Sequence, residues 1–172
     1  GVQTCALPIS KVTELRINDK LLTWNQLDAS LPFPIDRNDA VTDLAVRSSS
    51  VIKDLNQQPL KVVGLSEGKY ELKIDGRSIG GFTHDQLAQG INLAELPTPM
   101  MAQAKDVHAQ TLEHNNMHFY RWRSIQVPLK GKVSDAAIAK AIEGLDAVEA
   151  DLVARQREAA KPKVRKFELI GK

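Results

Sequence analysis

The spacing of apolar residues changes several times along this chain, and each change marks an element. Between Val12 and Ile17 apolar and polar positions alternate, which is the period of a strand; Asn18-Asp19-Lys20 reads as a turn and Leu21 to Trp24 as a second short strand. Leu31-Pro32-Phe33-Pro34-Ile35 is extended, because each proline pushes its predecessor out of the helical region. From Asn38 the period lengthens. Val41, Leu44, Val51, Ile52 and Leu55 fall on one helical face, with Asn38 or Asp36 placed as the cap.

Leu60, Val62 and Val63 predict a strand, and Ser66-Glu67-Gly68 a turn. Tyr70, Leu72 and Ile74 then alternate with Lys69, Glu71 and Lys73, as in an antiparallel strand with one face in the core. Asp75-Gly76 is the preferred two-residue hairpin turn, since both residues tolerate positive φ, and Ser78 to Phe82 returns. Thr83-His84-Asp85-Gln86 fits a capping box opening a short helix that ends at Gly90. Two longer helices follow. One has Thr98 as cap and Pro99 at its first position and runs to Trp122, with Pro128 beyond its end. The other starts at Ser134 and carries Ile138, Ile142, Leu145, Val148 and Leu152 on one stripe until Lys161-Pro162; Val164 to Ile170 is a last strand. The fold class expected is α+β: small antiparallel strands with a hairpin, and two long helices.

Composition adds exclusions. The net charge of +2 implies no pull toward nucleic acid or an acidic membrane, and no apolar run approaches the ~20 residues of a membrane span. The Lys- and Arg-rich stretch from Arg155 to Lys172 reads as a solvated helix end. The opening run, Gly1-Val2-Gln3-Thr4-Cys5-Ala6-Leu7-Pro8-Ile9, resembles a conceptual translation of a sequencing-library adapter. On that reading residues 1–10 are a non-native segment and 11–172 the protein proper. Cys5, the single cysteine, then says nothing about redox compartment or disulfides.

A set of ordered segments carries a resemblance. They are Leu22-Thr23-Trp24, Leu31-Pro32-Phe33-Pro34, Leu60-Lys61-Val62-Val63-Gly64-Leu65, Gly68-Lys69-Tyr70-Glu71-Leu72-Lys73-Ile74-Asp75-Gly76, Phe82-Thr83, Leu87-Ala88 and Gly90-Ile91-Asn92-Leu93-Ala94. Thr98-Pro99-Met100, Gln103-Ala104, His114-Asn115-Asn116-Met117-His118-Phe119 and Arg121-Trp122-Arg123 continue it. Together they are similar to the C-terminal region of a bacterial group of SGNH (GDSL-type) hydrolases. The resemblance implies a serine esterase, with acylated carbohydrates as one substrate class, on a three-layer α/β/α fold. Its serine lies in a GDS motif, its oxyanion donors include the Asn of G-x-N-D, and its Asp and His lie in D-x-x-H. All act as one unit on the acyl carbon.

None of these motifs occurs in this chain. Arg16 and Asp36 stand where G-x-N-D would need glycine, and Gly81, Lys105, Thr111 and Asn115 precede the four histidines by three residues. The catalytic residues expected here are therefore none. The chain reads as the C-terminal fragment of the hydrolase, with 11–172 following a missing N-terminal catalytic domain that is its expected partner. The chain alone is expected to be inactive, the parent acts on an ester substrate, and no cofactor is expected.

Two constellations compete with that reading. Gly76-Arg77-Ser78-Ile79-Gly80 matches the G-x-S-x-G nucleophile elbow, with Asp106 and His108, His114 or His118 downstream in the right order. The elbow, however, is a strand-to-helix turn, whereas Ser78 here begins the return strand of a hairpin. His114 and His118 are one helical turn apart, a spacing that can ligate zinc, but Asn115-Asn116-Met117 supply no base and no third ligand is evident, so no metal is expected. His114, Asn115, Asn116, His118, Arg121 and Trp122 are the candidate interface or substrate-facing residues. A stand-alone binding or structural module is the non-enzymatic alternative.

Overall fold

The computed structural model describes residues 10–18 and 20–172, together with the backbone of 3–5. Asp19, at the centre of the first expected turn, and most of the adapter-like run lie outside the described residues. The chain divides into two compact units, residues 1–104 with 162–172, and residues 105–161. The fold is α+β with antiparallel sheets.

The first unit is built on strands. β1 (Gln3–Cys5), β2 (Ser10–Asn18) and β3 (Leu21–Asp28) open it; β4 (Pro59–Val63), β5 (Lys69–Ile74), β6 (Arg77–Thr83), β7 (Ile91–Asn92) and β8 (Val164–Gly171) follow. One sheet has the order β1-β4-β7 and the other β2-β3-β8-β5-β6, every pairing antiparallel. β8 thus lies in the middle of the larger sheet. Its register sets Phe167 opposite both Trp24 on β3 and Ile74 on β5.

The alternation read from the sequence becomes a core. Leu22 and Trp24 of β3, Tyr70, Leu72 and Ile74 of β5, and Phe167 and Leu169 of β8 are buried in one cluster with Leu60 and Val62 of β4. Each such side chain removed from water contributes about 1.5–3 kcal/mol. Trp24 and Phe167 stack with centroids 5.0 Å apart. The hairpin turn has the expected left-handed backbone, with φ of 51° at Asp75 and 75° at Gly76. Asp75 also holds β8: its carboxylate accepts from the Lys166 backbone N–H and from Arg165 Nη1, both at 2.9 Å.

The capping box is formed in full. Thr83 Oγ1 accepts from the Gln86 N–H (3.2 Å) and Gln86 Oε1 from the Thr83 N–H (2.9 Å), opening α3 (His84–Gln89). The segment after Asn38 differs from expectation. Instead of one helix there are two short ones, α1 (Ala40–Arg47) and α2 (Val51–Asp54), separated at Ser48 to Ser50. Asp39, not Asn38 or Asp36, caps α1; Asp36 instead accepts from the Asn38 N–H in a local turn. The serine run supplies hydroxyls that compete for helical backbone groups. Val46 is buried, while Val41, Leu44 and Leu55 are 75, 65 and 81% exposed.

α4 (Pro99–Tyr120) starts as read, with Thr98 Oγ1 accepting from the Met101 N–H at 3.1 Å. Met100, Gln103 and Ala104 are buried in the first unit, and from Lys105 the helix belongs to the second. Pro128 lies beyond its end, as expected, but the helical path does not stop at Tyr120. The chain continues as wide π turns from Arg121 to Gln126, where the Val127 N–H bonds to the Trp122 carbonyl, and then as α5 (Val127–Leu129). Pro128 has no N–H to donate, and a widened turn passes it without breaking the helical path. α6 (Asp135–Ala159) is capped by Ser134 as expected.

In the second unit α4 and α6 run antiparallel. Thr111 meets Gln156, His118 meets Glu149 and Arg121 meets Asp146, so the numbers rise on one helix as they fall on the other. The apolar stripe on α6 is half-buried at Ile138, Ile142, Leu145 and Leu152; Val148 is 41% exposed. Among the described residues no helix is long and apolar enough to cross a membrane.

Candidate functional site

The sequence-selected residues on α4 and the wide turns that continue it divide between two faces. His114, His118 and Arg121 recur every three or four residues and look toward α6. Glu149 Oε2 lies 3.2 Å from His118 Nδ1 and 3.8 Å from His114 Nε2. Arg121 Nε is 2.8 Å from Asp146 Oδ1 and 3.8 Å from Glu149 Oε1. The Glu149 side chain is only 15% exposed, so three cationic or polar groups of one helix converge on a largely covered carboxylate of the other. Sequence reasoning missed Glu149. Its place beside Val148 on the α6 stripe was visible, but which α4 residue it meets depends on the register between the helices.

This arrangement is suited to pinning two helices together. A carboxylate beside an imidazole is also half of an acid–base relay, but such a relay needs a nucleophile. Among the described residues no serine hydroxyl hydrogen-bonds to His114 or His118. Nor, among the described residues, is any group of three or more His, Cys, Asp or Glu arranged to hold a metal ion.

The other α4 face carries Asn115, Asn116 and Trp122, all exposed. Phe119 and Trp122 meet edge to face with centroids 6.2 Å apart, and the Arg123 guanidinium lies 5.7 Å from the Trp122 ring centre. At the loop end of the helix pair an open groove of about 740 Å³ is lined by Trp122, Val127, Lys130, Ile138, Ala139 and Ile142 among others. Its walls are largely apolar, with Gln126, Lys130 and Asp135 as the polar members of the lining.

The first unit holds a small polar cavity of about 20 Å³ beside Gln26, Asp28 and Gln58, room for roughly one water. Asp28 Oδ1 accepts there from Ser10 Oγ (2.5 Å) and Gln26 Nε2 (2.8 Å), and the buried Trp24 indole N–H donates to Gln26. This network ties β2 to β3 and serves the fold.

Ser78 is not a nucleophile elbow. It lies near the start of β6, paired with Lys73 in an antiparallel hairpin, and the strand continues to Thr83 before α3 begins, so Ser78 is not on a strand-to-helix turn. Its hydroxyl donates to Glu71 Oε1 at 2.8 Å. That bond is the main cause holding the Glu71 carboxyl below its ordinary range; Lys73 and Lys172 add to it and partial burial opposes it. A serine hydroxyl that donates a hydrogen bond to a neighbouring carboxylate across a hairpin lacks the strand-to-helix turn that presents a nucleophile.

No family model matches the chain, and no curated protein matches it. Among solved structures, a gut microbial diltiazem-metabolizing enzyme is similar with a TM-score of 0.76 and 21% identity, covering 95% of this chain and 46% of that enzyme. At that identity the likeness establishes the fold. The chain spans just under half the length of the enzyme it matches.

Proposed function

We propose that this chain is the C-terminal, non-catalytic region of a serine ester hydrolase of the SGNH type. The observation that carries the reading is the proportion of the fold match: nearly all of this chain corresponds to less than half of an enzyme. The ordered segments from Leu22 to Arg123 that resemble SGNH hydrolases support the same assignment. Under this proposal the substrate of the parent is an acyl ester, and the partner of this region is the catalytic domain of its own polypeptide.

The surface of the first unit supports the fragment reading over that of a self-standing module. Phe33, Val41, Leu44 and Leu55 are all at least 64% exposed. Where such side chains adjoin, they form the kind of apolar surface that packs against a neighbouring domain. The test is to extend the reading frame upstream of Ser10 at the genomic locus and express the longer protein. It is expected to contain GDS and D-x-x-H motifs and to hydrolyse p-nitrophenyl acetate with a fluorophosphonate-sensitive serine. An upstream frame without those motifs would overturn the reading.

A further inference from the structure

Positive charge and open apolar surface are gathered at the loop end of the helix pair. Between Glu113 and Asp135 the chain carries no acidic residue, while Arg121, Arg123, Lys130 and Lys132 all fall there. Arg121 is taken up by Asp146 and Glu149 of α6. Arg123, Lys130 and Lys132 are exposed and have no carboxylate partner among the described residues. Phe119, Tyr120, Trp122, Val127 and Val133 of the same stretch are 43–58% exposed. The two kinds of side chain adjoin. Phe119 meets Trp122 edge to face, and the Arg123 guanidinium lies 5.7 Å from the Trp122 ring centre. Trp122, Val127 and Lys130 share the lining of the open groove, in which Asp135 is the one carboxylate. The wide turns make this possible: the Val127 N–H bonds to the Trp122 carbonyl, which brings residues five apart together.

We propose that this end of the helix pair docks on an anionic lipid surface, with Arg123, Lys130 and Lys132 at the headgroups and Phe119, Trp122 and Val127 at the edge of the acyl layer. Lysine and arginine around exposed aromatic and aliphatic side chains are the composition of segments that lie in the interface of a bilayer. Charge names the sign of the partner, since the exposed cations of this stretch are unpaired and no carboxylate lies between Glu113 and Asp135. The apolar members decide which anionic surface it is. A sugar or a nucleobase can stack on the flat rings of Phe119 and Trp122 but gives Val127 and Val133 nothing to bury against, whereas acyl chains take all of them. The net charge of +2 averages this cluster over the whole chain, so the absence of a pull toward an acidic membrane holds for the average and not for this end. The contact is peripheral, because no helix among the described residues is long and apolar enough to cross a membrane. The proposal does not rest on the enzymatic reading.

The test is cosedimentation of the 172-residue chain with phosphatidylcholine vesicles that contain phosphatidylserine, against vesicles of phosphatidylcholine alone. Each cation near an anionic surface strengthens binding about fivefold, so Arg123, Lys130 and Lys132 together predict a preference on the order of a hundredfold for the anionic vesicles, weakened by added salt. Arg123→Glu/Lys130→Glu/Lys132→Glu should abolish the preference, with unchanged far-ultraviolet circular dichroism verifying that the helices persist. The milder Arg123→Gln/Lys130→Gln/Lys132→Gln should lose it as well. Trp122 reads the apolar half of the contact. Its emission should be quenched by lipids brominated on their acyl chains, and Trp122→Phe, which keeps the buried Trp24, should show no quenching. No cosedimentation, equal binding to both kinds of vesicle, an undiminished preference in the Gln variant, or binding without quenching of Trp122 would each overturn the proposal. So would tighter binding to duplex RNA than to the vesicles. An upstream-extended protein that ignores vesicles the 172-residue chain binds would overturn it too, because the preceding segment would then cover this end.

Discussion

Replacing Phe167 by alanine tests whether β8 is the keystone of the larger sheet. Phe167 is fully buried, stacks on Trp24 at 5.0 Å and faces Ile74 on the opposite neighbour. Truncating such a ring costs about 3–5 kcal/mol, of which the aromatic pair accounts for about 0.5–1.5. Domains of this size have about 5–15 kcal/mol in total, so Phe167→Ala removes a large share. With a urea dependence of about 1–3 kcal/mol per molar, the midpoint should fall by about 2 M. The chain has two tryptophans, and the Trp122→Phe background leaves the buried Trp24 as sole fluorescent reporter. Phe167→Leu retains part of the packing and should lose less than half as much. A loss under about 1 kcal/mol for the alanine variant, or equal losses for both variants, would refute the claim that this contact joins the two halves of the sheet.

Ser78→Ala should leave ester hydrolysis unchanged and remove no fluorophosphonate label, since its hydroxyl serves Glu71; stoichiometric labelling of Ser78 would contradict this. The chain as given should turn over p-nitrophenyl acetate at background, equal to its His114→Ala/His118→Ala double variant, and a rate near ~1 per second would reveal an unread catalytic site. The Asp39 carboxyl is held below its ordinary value, first by the Thr42 hydroxyl and then by the Thr42 backbone N–H. Its support of α1 is therefore complete above the ordinary carboxylate range and is lost as pH falls through the lowered value. In an NMR titration Thr42→Val should raise the Asp39 midpoint, and an unmoved midpoint would remove the hydroxyl as the cause. If residues 1–10 are non-native, deleting 1–9 should leave the melting temperature unchanged, whereas a fall of several degrees would make the pairing of β1 with β4 a working part of the fold.

Elements set by neighbouring residues were legible in the sequence. Asp75-Gly76, the Thr83–Gln86 capping box and Thr98-Pro99 each need only the few residues around them, and each is found where expected. What failed depends on distance or on competition. The single helical face from Val41 to Leu55 is interrupted by the serines at 48 to 50, and the helical path after Tyr120 continues through wide turns that no apolar spacing marks. The partnership of His114, His118 and Arg121 with Glu149 and Asp146 needs the register of two helices about thirty residues apart, which no local pattern encodes. The same holds for Asn56, whose amide clasps both the N–H and the carbonyl of Phe33, with the Asn92 amide bonding the carbonyl of Asn56 in turn.

The central position of β8 also orders events in time. β2 with β3, and β5 with β6, are hairpins that can pair as soon as they are synthesised, but each ends in an edge that only β8 completes. Between Ile74 and Phe167 the ribosome must first deliver all of α4 and α6. Closing a loop of that length costs only a logarithmic increment of free energy, but it delays the reward. Until then the nascent chain presents two open strand edges, at β3 and β5, each a template for a neighbour on the same message. Slower translation through the helical pair would lengthen that exposure, making the yield of folded protein sensitive to synthesis rate rather than to equilibrium stability alone.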